Sequence, residues 1–386
     1  MEYRPIPDGR SEAFRRLVSY AFSPESGPEL EDEGKPHPGE RYGLFDDESL
    51  LCVCRHYFLD ARVRGEDQSV AGLSAVASPP EHRRRGHVAE LLGKSLADYR
   101  ERGVDFSILW AFKHAFYRRY GWGTVNDYAR YETTPAVLAS AAGPDHGEFK
   151  RVEASEWKSL DSIYRAHRTR VDFSLQRSEE WWHRRIFERW NADPYVYRWD
   201  DGEPRAYIAY TVNRNDENGE KTLRATDMAY RDFSGFRQLL RFLASHESQI
   251  DRIRFRAPPD CPLFEMVEEP GEIECTRHAG PMFRLVDVER ALDHLSGPEE
   301  RLTLAVSDPL APWNDRTFSV SNEGCEPTDE KATVEASVNT LSQLYAGSRS
   351  LAMIERVGEI SVREKRARPI LESLFPPRRV YLGEHF

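Results

Sequence analysis

Residues 70–123 read VAGLSAVASPPEHRRRGHVAELLGKSLADYRERGVDFSILWAFKHAFYRRYGWG, and this stretch decides the fold. Val70 to Val76 has the pattern of a strand. The basic turn PPEHRRRG follows and opens a helix with Val88, Leu91, Leu92, Leu96 and Tyr99 on one face. Gly103 stands where a helix stop belongs. Val104 to Trp110 is short and largely apolar, as a buried central strand should be. The unit is strand, basic turn, amphipathic helix, strand, then a short aromatic segment.

The turn is where chemistry enters. Arg83, Arg84, Arg85 and Gly86 lie between a strand end and a helix start. Backbone N–H groups are unpaired there, and the helix dipole favours anions. Gly86 lets the backbone approach a phosphate closely, and the arginines add forked donors. Positive charge at a helix N-terminus is locally unfavourable, so three arginines ask for an anionic partner. The alternative is a solvated charge run. His82 and His114 flank the unit and read as surface or structural histidines.

Working outward, Ser11 to Ala21 reads as a helix with Phe14, Leu17, Val18 and Ala21 on one face. An acid- and proline-rich loop follows, and its part Glu25–Glu33 is a candidate lid or acceptor-recognition segment. Leu50 to Val63 is a strand or strand pair. Within it, alternation puts Cys52 and Cys54 on one sheet face, where they read as small buried hydrophobes rather than metal ligands. AVLASAAGPDHG marks a boundary near residue 140. From Lys150 the order repeats: a hairpin turning at Asp201-Gly202, a strand from Leu223 to Tyr230, an amphipathic helix in SGFRQLLRFLASH, and a strand in IDRIRFRAP. The basic turn is missing from this copy. From about residue 281 a compact α+β unit begins with MFRLVDVERALDHL and runs to the end. Three domains are expected: 1–140, 141–280 and 281–386.

With 386 residues, 39% hydrophobic and 31% charged, the chain has the composition of a soluble globular protein of more than one domain. No apolar run approaches the ~18 residues of a membrane span. The N-terminus lacks the apolar core of a secretory signal, so a cytoplasmic setting is expected. A net charge of −11 disfavours a general nucleic-acid binder. The five cysteines are an odd, scattered set, which argues against a disulfide framework.

Arg83-x-x-Gly86 after a strand resembles the acetyl-CoA signature of GNAT acetyltransferases, with Val88 in place of its last Gly or Ala. VASPPEHRRRG followed by AFYRRYGWG, and the third-unit segments VSDPLAPWNDRTF and LSQLYAGSRS, resemble the Eis (enhanced intracellular survival) subfamily. That resemblance spans essentially the whole chain. It implies an α+β architecture of tandem GNAT domains, the second degenerate, plus a sterol-carrier-protein-like domain.

The resemblance also implies site residues. The backbones of Val76, Ala77 and Ser78 would bind the pantetheine arm. Arg83 opens the signature, and Arg84, Arg85, Gly86, His87, Val88 and Ala89 would cradle the diphosphate. Phe112 and Lys113 would flank the thioester. Tyr117, on its residues alone a core aromatic, takes the role of general acid. The terminal carboxylate of Phe386 takes that of general base, with Glu384 and His385 as neighbours able to hold a cationic substrate.

The expected activity is therefore acetyl transfer from acetyl-CoA to a primary amine of a small cationic acceptor, aminoglycoside-like or polyamine- or lysine-like, with no metal, no nucleic acid and no membrane. A homo-oligomer, trimer or hexamer, follows from the resemblance. The alternatives are a longer-chain acyl donor and a non-enzymatic lipid or small-molecule carrier.

Overall fold

A computed structural model of the chain describes residues 1–22, 39–189, 193–215 and 219–386. The segment Glu25–Glu33 lies outside them. Three sheets organise the described residues. The first runs, in spatial order, Glu2–Pro5, Glu40–Asp46, Ser49–Val63, Glu66–Ala77, Phe106–Leu109, Met282–Leu285 and Gly123–Thr124. The second has Lys221–Tyr230 and Arg252–Ala257 side by side near its middle, and the third, of five strands, belongs to the last hundred residues.

The repeat seen in the sequence is a repeat in space. Glu66–Ala77 and Phe106–Leu109 pair in parallel, as do Lys221–Tyr230 and Arg252–Ala257. Parallel neighbours need a crossover, supplied by helices His87–Glu101 and Phe233–Ala244 respectively. The first helix buries Leu91, Leu92, Leu96 and Tyr99, and Gly103 adopts φ 76° just beyond its end. Cys52 and Cys54 are both buried in one apolar cluster with that helix.

Two strands cross the bounds drawn from composition. Asp127–Thr133 lies in the second sheet, between Arg252–Ala257 and Glu274–Ala279. Met282–Leu285 returns to the first sheet, between Phe106–Leu109 and Gly123–Thr124. The two sheets are thus laced together by segments far apart in sequence. Arg284, on that returning strand, is fully buried and pairs with Asp308 of the third unit at 2.7 Å. One face of the first sheet packs on its own helix, and the other shares a core with the third unit, through residues such as Val70, Ile108, Leu304 and Leu344.

Candidate active site

In-register pairing between Glu66–Ala77 and Phe106–Leu109 ends at Leu73 and Leu109. Ser74 to Ala77 run on without a partner on that side. On the other side the register slips by one residue, between Arg55 opposite Ser74 and Val53 opposite Ala77. Ala75 there has φ 53°, an uncommon conformation for a residue with a side chain. A strand split with a bulge leaves backbone groups free for an extended ligand arm, at the predicted Val76, Ala77 and Ser78.

The predicted cradle begins directly after. Gly86 is the cap residue of helix His87–Glu101, with φ 87° and no side chain to cap it. The first intrahelical bond is Glu90 N–H to Gly86 O, so the N–H groups of His87, Val88 and Ala89 have no acceptor within the helix. Among the protein's own atoms a Cβ on Gly86 would meet nothing within 4 Å, so what the fold itself asks of a glycine there is the positive φ. Arg84 and Arg85 are exposed, whereas Arg83 folds back to donate from Nε to Ser78 O at 3.2 Å. The buried Nδ1 of His87, at the helix start, lacks a partner among the described residues. These residues fit the diphosphate and pantetheine arm of acetyl-CoA.

The second copy differs at the same place. Its helix is capped by Asp232, whose carboxylate accepts from Gly235 N–H at 2.9 Å. An acidic cap sits where the first copy leaves bare donors, and it would repel a phosphate.

Tyr117 lies on the short helix His114–Arg118, buried among the rings of Phe112, Phe116 and Trp122. Its hydroxyl makes no hydrogen bond among the described residues. Burial raises its pKa, with Cys54 adding to the shift. Phe112 is a large apolar side chain left 60% exposed, and Lys113 beside it is exposed too. Exposed apolar surface beside the strand split is surface available to a ligand.

The C-terminal tail threads between the domains. Val380 bridges in parallel to Asp172, with Tyr381 N–H donating to Asp172 O at 3.0 Å. Glu384 is buried: it accepts from Tyr164 at 2.7 Å and pairs with Arg177 at 2.9 Å. Arg177 also clasps Asp227 at 2.8 and 3.0 Å. Trp110 donates from Nε1 to Glu384 O at 2.7 Å and stacks on His385 at 3.7 Å. The Phe386 ring then lies on Gly72, whose Cβ, if present, would be 2.7 Å from it, and 5.5 Å from the ring of Tyr57.

Tyr117 and Phe386 sit in different clusters. Tyr117 belongs with Ala71 and Leu73, and Phe386 packs with the cluster of Val70, on the opposite sheet face. They flank the strand split from its two sides.

Residues 2–125 and 174–285 each match the model of an acetyltransferase (GNAT) domain, and residues 288–383 that of a sterol carrier protein domain. An uncharacterized N-acetyltransferase of Streptomyces griseus is 26% identical, with 93% of this chain and 92% of that protein aligned. The N-acetyltransferase Eis of Mycobacterium tuberculosis is also 26% identical, with 79% of this chain and 77% of that protein aligned. The chain is a GNAT acetyltransferase with an Eis-like plan of two GNAT domains and a sterol-carrier-protein-like domain. Its fold is that of Eis1 from Mycobacterium abscessus, with a TM-score of 0.82 at 24% identity over 100% of both chains. A probable N-acyltransferase from Enterococcus faecalis gives a TM-score of 0.85 at 19% identity, over 100% of this chain and 99% of its own.

In this Eis-like acetyltransferase a cavity of about 450 Å³ opens on the second domain beside the tail. Nine arginines and three carboxylates line it. Glu384 is therefore not available to hold a cationic substrate: burial and Arg177 commit it to anchoring the tail. A polycationic acceptor would meet this wall at a Coulombic cost. Sequence reasoning passed over Arg177, Gly72 and Trp110. A glycine inside a strand pattern is a signal of close backbone approach, and Gly72 carried it.

Proposed function

We propose that this N-acetyltransferase moves an acetyl group from acetyl-CoA to a primary amine of a small acceptor, with Tyr117 as general acid and the α-carboxylate of Phe386 as general base. The observation that carries the reading is the uncapped helix start at Gly86 beside the bulged, unpaired strand end, set against the Asp232 cap in the second copy. When bound, acetyl-CoA supplies the activated thioester.

Residues Arg84 to Ala89 hold its diphosphate, and the free backbone of Val76 to Ser78 aligns the arm, which lowers the barrier mainly by positioning. The Phe386 carboxylate takes a proton from the substrate ammonium, and the neutral amine so formed attacks the thioester carbonyl. As the C–N bond forms and the C–S bond breaks, Tyr117 gives its proton to the departing sulfur, and the second proton shed by the new amide nitrogen passes through solvent to restore the Tyr117 phenol. Burial favours the neutral phenol, so Tyr117 holds that proton at neutral pH. The amine is retained from the sequence expectation, but the arginine lining gives no support to a polycation.

Calorimetry with acetyl-CoA and a long-chain acyl-CoA, followed by thiol release against a panel of primary amines, tests the reading. Tight acetyl-CoA binding with amine-dependent thiol release is expected. Preference for the long-chain donor, or thiol release that no amine accelerates, would overturn it.

A further inference from the structure

The arginines of the cavity are arranged by strand register. Arg256 lies directly opposite Arg130, and Arg224 directly opposite Arg254, on three adjacent strands. Alternation puts all four on the same sheet face. The other face, with Leu223, Tyr131, Ile253 and Phe255, is core. Like charges directly opposite each other on neighbouring strands are destabilising.

Carboxylates relieve little of this. Arg254 pairs with Glu132 at 2.7 Å. Arg130 and Arg256 instead donate to the imidazoles of His278 and His385, at 2.5 and 2.6 Å. Arg189 donates to the Thr226 carbonyl at 3.3 Å. Among the described residues, Arg224 has no carboxylate partner. Of the three lining carboxylates, Asp227 and Glu384 are already held by Arg177, and Glu220 pairs with Arg252 at 3.7 Å. Dehydration, then repulsion by Arg256, Arg130 and Arg254, lowers the pKa of Arg224. Partial dehydration beneath Trp110, then Arg256 and its neighbours, pushes His385 down to about 3, although the ring keeps an exposed edge.

A plain solvated face explains this poorly. The chain as a whole carries −11, yet this concave wall inverts that sign, and with arginine alone: no lysine lines it. Arginine forks match the planar oxygens of carboxylate and the oxygens of phosphate. The wall also meets the tail, since Gly383, Glu384 and His385 line the same cavity and Phe386 continues from them onto Gly72.

We propose that this cavity is the acceptor site and selects a small amine bearing an oxyanion, carboxylate or phosphate, held by Arg224, Arg256 and Arg189 while its amine points to the Phe386 end. The proposal rests on the N-acetyltransferase reading and specifies its acceptor.

The test uses the full-length enzyme and four amines of similar length: 4-aminobutyrate, 3-aminopropylphosphonate, butylamine and 1,4-diaminobutane. Each is assayed for acetylation kcat/KM and, separately, for binding by calorimetry. At least one anionic amine should exceed butylamine about tenfold in both, and which of the two leads tells carboxylate from phosphate recognition. Arg224→Gln should remove that advantage and Arg224→Glu should reverse it toward the diamine, with unchanged acetyl-CoA affinity and a melting temperature no lower than native. Faster turnover of butylamine or the diamine by the native enzyme would overturn the proposal and leave the acetyltransferase reading standing. If no amine is turned over, the acetyltransferase reading is in trouble, and equal binding of all four would independently overturn the anionic acceptor.

Discussion

The ring of Phe386 rests on the bare Cα of Gly72: a methyl there would stand 2.7 Å from Cε2 and 3.1 Å from two further ring carbons. The last residue of the chain thus docks on a central strand of the first domain, one turn of pleat from the point where that strand parts from its neighbour. Gly72→Ala should displace the ring without unfolding the sheet, because Gly72 has ordinary strand neighbours in Tyr57 and Ile108. Misplacement of a catalytic group by about 1 Å can cost about 100-fold, so a comparable loss of kcat is expected. A chain extended by one residue after Phe386 should lose activity similarly with the ring still in place. Native rates in the extended chain would rule out the terminal carboxylate as base.

Tyr117→Phe removes one hydroxyl that has no hydrogen-bond partner among the described residues and leaves the packed ring in place, so folding should be little affected. General acid catalysis contributes about 100-fold or more. Turnover should fall by that order while acetyl-CoA affinity, measured by calorimetry, stays near native. A variant as fast as the native enzyme would return Tyr117 to the role of a packing aromatic.

Arg284 ties the third domain to the segment that carries Tyr117. Besides Asp308 it reaches the Tyr120 carbonyl, three residues past Tyr117, at 2.5 Å. Arg284→Met strands a buried Asp308, and breaking a buried pair this way costs about 3–5 kcal/mol. Denaturant midpoints should fall accordingly, and Arg284→Lys should recover only part, since a single ammonium cannot replace the fork. A native midpoint in Arg284→Met would show that the pair contributes nothing.

His56 is completely buried between Tyr3 and Tyr99, and burial, with Arg102 adding, pushes its pKa down to about 3. His167 is pushed down to about 4, again first by burial. A base with a depressed folded-state pKa binds fewer protons folded than unfolded between that value and the unfolded value of about 6.5. Stability should therefore be level above about pH 7 and decline as the pH drops from about 6.5 toward 4, with each histidine contributing up to about 1.4 kcal/mol per pH unit. Urea midpoints between pH 7.5 and 5 measure this. His56→Gln should flatten the decline, and an equally steep decline in that variant would assign it to other groups.

Short-range signals made half of this molecule legible. The strand–turn–helix at residues 70–103, its glycine cap, the second copy without a basic turn, and the three-part plan all rest on residues within a few positions of each other, where spacing alone dictates geometry. The resemblance of the turn and of AFYRRYGWG to a family then pointed to Tyr117 and Phe386. Other features had no local trace. The exchange of Asp127–Thr133 and Met282–Leu285 between sheets depends on which edge a distant strand meets. Arg130, Arg224 and Arg256 stand far apart in the sequence, and strand register sets them on one face. Glu384 read as a candidate for binding a cation until burial beside Arg177 made it an anchor. Chain spacing determined the strand–turn–helix and its bare helix start. Only tertiary packing, by bringing groups a hundred or more residues apart into one cleft, decided where the Phe386 ring comes to rest and what charge the arginine-lined cavity presents.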